Sequence, residues 1–320
     1  MARLTHYLLA FATAITLNFA LPRLMPGSPL AWLAGADITA LSAADRETLL
    51  ARAGLDEPLP RQYARYLLDL AQADLGYSYQ RAAPVASVLA DRLPWTLLLM
   101  LTSQIVVLVA GVALGAVAAW HQGRPTDAAV VATVIVCDAL PVFWIGMVLL
   151  ALFAVHWPWL PLFGAESLVA PGTRVARLGD ILRHLVLPAA TLALGSVAGM
   201  ALIARTSFSA VLEQPYLRAV RARGVGAARL LWRHALPNAL PPITTAAAAS
   251  VGLAIGGAPL VETVFSYPGL GRLVYDAVLA RDYPVLQGAF LLITTVVLAA
   301  NALAELVHPW LDPRLHQRGD

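Results

Sequence analysis

The chain has 320 residues, of which 59% are hydrophobic and only 13% charged, with a mean hydropathy of +0.70. Soluble domains carry about 25% charged residues, so this composition excludes an ordinary water-facing globule and points to a lipid bilayer. The formal net charge of +3 is mild and no basic run is interleaved with aromatics, which argues against nucleic acid as a partner.

All 22 basic residues are arginine. A phosphate-binding P-loop needs a lysine on the β- and γ-phosphates, and Schiff-base chemistry needs an amine, so neither is available. The chain is expected to bind no cofactor of its own and to be no enzyme. Any ATP and Mg that it uses are held by another chain. Cys137 is the single cysteine, which excludes an internal disulfide and a Cys-rich metal site. The histidines (His6, His121, His156, His184, His234, His308, His316) are scattered, with no H-E-x-x-H pair, so no metal site is expected.

Six apolar stretches, residues 4–21, 94–120, 128–155, 184–204, 239–261 and 285–307, are each long enough to cross the hydrocarbon. They predict an all-α polytopic membrane protein of about six transmembrane helices. The first stretch, preceded by Arg3, has the length of a signal peptide as well, but no small-x-small cleavage site follows it. Residues 22–93 then form one long segment with seven arginines and eight acids. Ser42 with Asp45 is a capping-box signature for a short helix that Gly54 closes. Pro58 and Pro60 punctuate, and residues 61–73 read as an amphipathic helix with Leu67, Leu68 and Leu70 inward. This helical cap is too small for a binding domain. The chain divides accordingly into residues 1–93, the first span with its external segment, and residues 94–320, a five-span core with a coupling loop at 205–237.

Three spans carry glycines four residues apart: Gly111 and Gly115, Gly195 and Gly199, Gly252 and Gly256. Such pairs let helix backbones approach closely in lipid. Inside the third span Asp138 stands three residues before Pro141. A mid-span acid costs about 2.5–3.5 kcal/mol on insertion scales. It reads either as a cap for the helix that Pro141 restarts, the preferred reading, or as a polar group in a translocation path. Glu262 ends the fifth span and reads either as part of a gate beside the Pro268-Gly269 turn or as an interfacial acid paired with Arg272 or Arg281.

Arginine placement sets the orientation. Residues 205–236 hold six arginines against one acid, Glu213, whereas residues 262–284 hold two against three acids. The positive-inside rule puts the arginine-rich segment and both termini in the cytoplasm. The 156–183 loop, with three arginines against two acids, pulls weakly the other way.

That segment has helix punctuation at both ends: Pro215 suits a first helical turn and Gly224 the position past the end. About two turns lie between them, exposing Arg218, Arg221 and Arg223, and a second short helix runs from Ala227 to near Leu236-Pro237. A short helix continuous with two spans is a mechanical handle; its bland reading is a set of topology arginines solvated by water and anionic lipid.

The loop resembles that of permease subunits of ABC importers, whose motif reads E-A-A-x3-G-x9-I-x-L-P. Ala219 matches the first alanine, Val220 replaces the second, and Gly224 and Leu236-Pro237 fall at the motif's spacing. Arg218 replaces the glutamate and His234 the isoleucine. Both departures look like the dipeptide, oligopeptide and nickel branch, with its R-T-A-R-A-x-G and R-H-A-L-x-N-A-L; Pro237 stands where that branch usually has arginine. Pro26-Gly-Ser-Pro29, Asp74-Leu-Gly-Tyr-Ser78, Leu140-Pro-Val-Phe-Trp144, the run from Val261 to Gly271, Arg281-Asp-Tyr-Pro284 and Leu311-Asp-Pro-Arg314 are similar to that branch, in order, along nearly the whole chain.

The resemblance implies an ABC importer type I permease architecture in a bacterial plasma membrane, forming half of a path completed by a second homologous permease subunit. It implies two ATPase subunits and an external solute-binding protein as partners. It implies that Tyr216, Arg218, Ala219, Arg221 and Gly224 contact the ATPase, with Val220 and His234 in the same coupling loop and Leu236-Pro237 as the hinge into span five. Asp138, Glu262, Pro268 and Gly269 are the candidates for the path or gate. The cargo implied is a peptide, nickel or a metal–chelator complex, and the lack of a His or Cys cluster favours peptides. The rivals are a secondary transporter or channel, for which only Asp138 serves as a coupling residue, and an intramembrane enzyme, for which no catalytic set can be assembled.

Overall fold

The computed structural model describes residues 2–24, 42, 57–78, 80–169 and 172–311. The Ser42–Asp45 capping box, Gly54, Pro26–Pro29 and residues 312–314 fall, wholly or in part, outside them. In chain order the helices are α1 (Ala2–Leu24), α2 (Leu59–Ala71), α3 (Val85–Trp120), α4 (Pro125–Ala139), α5 (Val142–Leu150), α6 (Arg174–Leu194), α7 (Val197–Leu212), α8 (Pro215–Ala222), α9 (Ala227–Arg229), α10 (Leu236–Val264), α11 (Leu270–Ala280) and α12 (Tyr283–Leu311). Two-residue strands β1 (Tyr77–Ser78) and β2 (Ala83–Pro84) make one antiparallel hairpin.

Each of the six apolar stretches is mainly helical; the 128–155 stretch covers α4, a break at Leu140–Pro141, α5 and a π turn at Ala151–His156. Among the described residues, α3 and the first 20 residues of α12 are long and apolar enough to cross a membrane by themselves. Two helix pairs reach that length and hydropathy only when taken together, and both are bent: α4 meets the α5 segment at 99°, and α6 meets α7 at 57°. The first break follows from Pro141, which holds Leu140 extended (ψ 136°) and cannot continue the hydrogen-bond ladder. Asp138 does not cap the restart. Pro141 itself occupies the cap position of α5, with no side-chain cap bond.

The chain forms two compact units. The first comprises residues 1–96 and 268–299. Polar pairing ties its helices together: Asn18 Nδ2 donates to the Gln287 carbonyl at 2.8 Å, and Gln287 Nε2 donates to the Asn18 carbonyl at 2.9 Å. In apolar surroundings such reciprocal amide bonds satisfy groups that lipid would leave bare. α2 turns Tyr63 and Tyr66 toward α1, where Phe19 packs on both rings at 5.0 and 5.6 Å. Of the leucines expected inward, Leu68 points out (62% exposed), whereas Leu67 and the half-buried Leu70 share the tyrosine face and line a groove with Phe11, Ile15 and Leu291. Asp282 caps α12, accepting from Val285 N at 3.3 Å and from the buried Ser78 Oγ at 2.5 Å, which fixes the hairpin to that helix start.

The second unit comprises residues 97–267 and 300–320. α3 packs on α7 through Gly111 and Gly115. A Cβ on Gly115 would stand 2.5 Å from Ala204 Cβ and 2.6 Å from the Ala201 carbonyl oxygen. Gly195 meets Val142, but Gly199 and Gly256 face open space, so close packing accounts for only some of the spaced glycines.

Replacing Gly115 with alanine therefore drives a methyl group into backbone and is expected to cost about 1–3 kcal/mol. Gly199→Ala, with nothing within 4 Å, is expected to leave the thermal midpoint unchanged or raise it. Melting of the two purified variants in detergent checks both outcomes.

Candidate functional site: the loop of residues 205–237 and the cavity at the bent spans

α8 is built by its two ends and one face. Pro215 occupies its first turn and Gly224, at φ +78°, stands past its end in the left-handed conformation that glycine adopts freely. Leu217 is 1% exposed and enters a cluster with Phe208, Leu230, Ala235, Ala239 and Ile243, with Val220 packed beside it. The opposite face leaves Tyr216, Arg218, Ala219, Arg221, Arg223 and Gly224 exposed.

Three contacts fasten this helix to its neighbours. Asn238 Nδ2 donates to Tyr216 Oη at 2.8 Å and to the His234 carbonyl at 3.3 Å, which also accepts from Tyr216 Oη at 3.3 Å. The start of α8 is thereby tied to the start of α10. The Arg221 guanidinium lies 5.1 Å over the Trp120 ring at the end of α3, within cation–π range. The predicted residues Tyr216, Val220, Arg221 and His234 thus meet in one assembly. Leu217, Trp120 and Asn238 complete it and escaped notice in the sequence. The three-residue spacing of Leu217 and Val220 carried the signal for the first.

The expected second short helix is α9 followed by a π turn at Leu230–Ala235 that runs directly into α10. Leu236 is helical (φ −52°, ψ −48°) and Pro237 sits in the first turn of α10, so the backbone is unbroken at this pair. The irregularity lies one turn earlier, in the π segment.

An ion pair stands where α7 approaches the loop. Arg205 Nε and Nη2 bind the two Asp127 carboxylate oxygens at 2.6 and 2.8 Å, and Gly123 N donates to Asp127 Oδ2 at 3.0 Å. Asp127 is 5% exposed. The paired geometry orients the guanidinium as well as attracting it, so the α3–α4 turn and α7 are held in one arrangement. Neither residue was singled out from the sequence, where they lie 78 positions apart.

Asp138 belongs to a different feature. It lines a cavity of about 440 Å³ together with Ser196, Gly199 and Ser250, a size in the range of small-molecule sites. Glu262 is fully buried in α10 and does not line this cavity; its carbonyl accepts from Tyr267 N at 2.8 Å. Gly269 is the residue preceding α11, and the turn before it places Ser266 at φ +50°. Among the described residues no three His, Cys, Asp or Glu side chains gather to hold a metal ion.

The sequence profile of the binding-protein-dependent transport system inner membrane component family matches residues 111–317. The chain belongs to this family. The permease is 37% identical over 319 residues to a probable peptide ABC transporter permease protein of Sinorhizobium fredii, covering 98% of each chain. It is 34% identical over 300 residues to the oligopeptide transport system permease protein AppB of Bacillus subtilis, covering 93% of each. It is 33% identical to the dipeptide transport system permease protein DppB of Escherichia coli, covering 99% of this chain and 98% of that one. Among solved structures the permease is similar to a chain of the inward-facing MetNI methionine ABC transporter, with TM-score 0.56 and 18% identity, covering 71% of this chain and 97% of that one. At that identity the likeness bears on fold, and the fold is that of a membrane ABC permease.

Loss of the Asp127–Arg205 pair is expected to loosen the permease without removing it from the membrane. Asp127→Asn should lower the thermal midpoint in detergent, and the swap Asp127→Arg with Arg205→Asp should recover part of that loss. A double-mutant cycle on the melting temperatures measures the coupling.

Proposed function

We propose that this chain is the membrane-spanning permease subunit of an ATP-driven importer of peptides, forming half of the translocation path. A second, homologous permease completes the path, two ATPase subunits bind the loop of residues 205–237, and an external solute-binding protein delivers the cargo. Both termini and that loop face the cytoplasm, on the arginine excess. The curated relatives named for peptide, oligopeptide and dipeptide transport, at 33–37% identity over nearly the full chain, support the cargo class.

The observation that carries the coupling role is α8 itself: a short helix with an exposed arginine face, buried by Leu217 and tied by Asn238 to the head of α10. Tyr216, Arg218, Ala219, Arg221 and Gly224 form the surface offered to an ATPase groove. A push on this face passes into α7 and α10, which flank the loop, and shifts the bundle between inward- and outward-open states in step with nucleotide. With no lysine in the chain, the phosphates are held by the partner subunits.

Gly224→Asp introduces charge and a side chain at φ +78° on this surface. The variant is expected to reach the membrane at normal levels while ATP-dependent peptide uptake in proteoliposomes falls at least about tenfold, the order of losing one or two charge-assisted contacts. Undiminished uptake would remove the coupling role. Orientation is checked separately: with Cys137→Ala as background, Arg221→Cys should react with an impermeant maleimide in inside-out vesicles and resist it in intact cells.

A further inference from the structure

Asp138 is the fourteenth residue of α4, roughly 20 Å from the start of that helix at 1.5 Å per residue, which is close to the middle of a bilayer core. Its side chain is exposed in the chain, and among the described residues it has no hydrogen-bond or ion partner. It lines the cavity formed where α4 breaks from α5 and α6 bends into α7. The other polar groups there are short or already engaged: Ser250 Oγ donates to the Ala247 carbonyl at 2.8 Å and accepts from Gln104 Nε2 at 3.1 Å. Gly199 supplies room, since a Cβ there meets nothing within 4 Å.

A carboxylate at that depth needs compensation, and ionisable groups within spans are placed toward a bundle interior or a water-filled path for that reason. Among the described residues no cation stands beside Asp138. We infer that the compensating charge is brought by the cargo: Asp138 makes the cavity a cation-recognition point that engages the ammonium or guanidinium of a lysyl or arginyl side chain of the passing peptide. The inference rests on the proposed peptide-importer reading and deepens it, by placing charge selectivity in the permease as well as in the binding protein. The Ser196 hydroxyl and the space at Gly199 accommodate the rest of a small polar cargo, whereas an acidic side chain meets like charge.

Two measurements decide it. In a Cys137→Ala background, Ser196→Cys is treated with a trimethylammonium and a sulfonate methanethiosulfonate. The cationic reagent should react faster relative to the anionic one, and Asp138→Asn should reduce that ratio about tenfold. Asp138→Glu should preserve it. In proteoliposomes holding the complete transporter, Asp138→Asn should lower maximal uptake of an arginyl dipeptide about tenfold while leaving a glutamyl dipeptide unchanged or faster. The affinity of the binding protein for each dipeptide is measured apart. A reagent ratio indifferent to Asp138, or an equal slowing of both dipeptides, overturns the inference. Absence of ATP-dependent uptake of any peptide by the wild type would instead remove the peptide-importer reading, with the reagent ratio still reporting the charge preference of the cavity.

Discussion

Helices of fewer than about 12 residues have no stability of their own in water, and α8 has only eight. It holds its shape because Leu217 is buried under Phe208 and Leu230 and because Val220 packs beside it. Everything attributed to the exposed face depends on that attachment, since a frayed segment carrying three arginines would present no fixed pattern to a partner. The cluster that receives Leu217 also contains Ala204 of α7 and Ala239 and Ile243 of α10. The exposed surface and two bundle helices therefore share one hydrophobic body, and such bodies are dense enough to transmit displacement rather than absorb it.

Polar groups in the apolar helices divide into two kinds. Asn18 with Gln287, and Gln104 with Ser250, complete one another's hydrogen bonds and stitch helices together. Asp127 does the same with a charge, taking both guanidinium contacts of Arg205. Asp138 has no such partner among the described residues and opens on empty volume. In hydrocarbon an unsatisfied charge is tolerated only beside water or a cation, so the contrast sets Asp138 apart from the paired groups without reference to any motif.

Much of this was legible in the sequence, and the reasons for the rest are local. Helical spans announce themselves by the length of their apolar runs, and Pro215 and Gly224 mark the ends of α8 through backbone restrictions that hold in any context. On α2 only Leu68 was misplaced: Leu67 and Leu70 share one helical face with Tyr63 and Tyr66, and the ring stacking on Phe19 and the hydroxyl contacts to Thr16 and Asn18 add the two tyrosines to it. Asp138 looked like a cap from its distance to Pro141. The extended Leu140 leaves that position to the proline itself. Pairs such as Asp127–Arg205 are invisible along the chain, since only tertiary packing makes distant residues neighbours.

The π turn at Leu230–Ala235 bears on which loop lengths this architecture tolerates. Such a turn amounts to one surplus residue threaded into an α-helix, and each residue of an α-helix advances the azimuth by about 100°. Deleting that surplus residue would let the segment relax to ordinary winding with the flanking turns near their present azimuths, whereas deleting one from the regular turns of α10 ahead of Asn238 would rotate everything upstream by that angle and break the Tyr216–Asn238 tether. A related chain one residue shorter at this point can therefore wind regularly and still present the exposed face of α8 in the same direction.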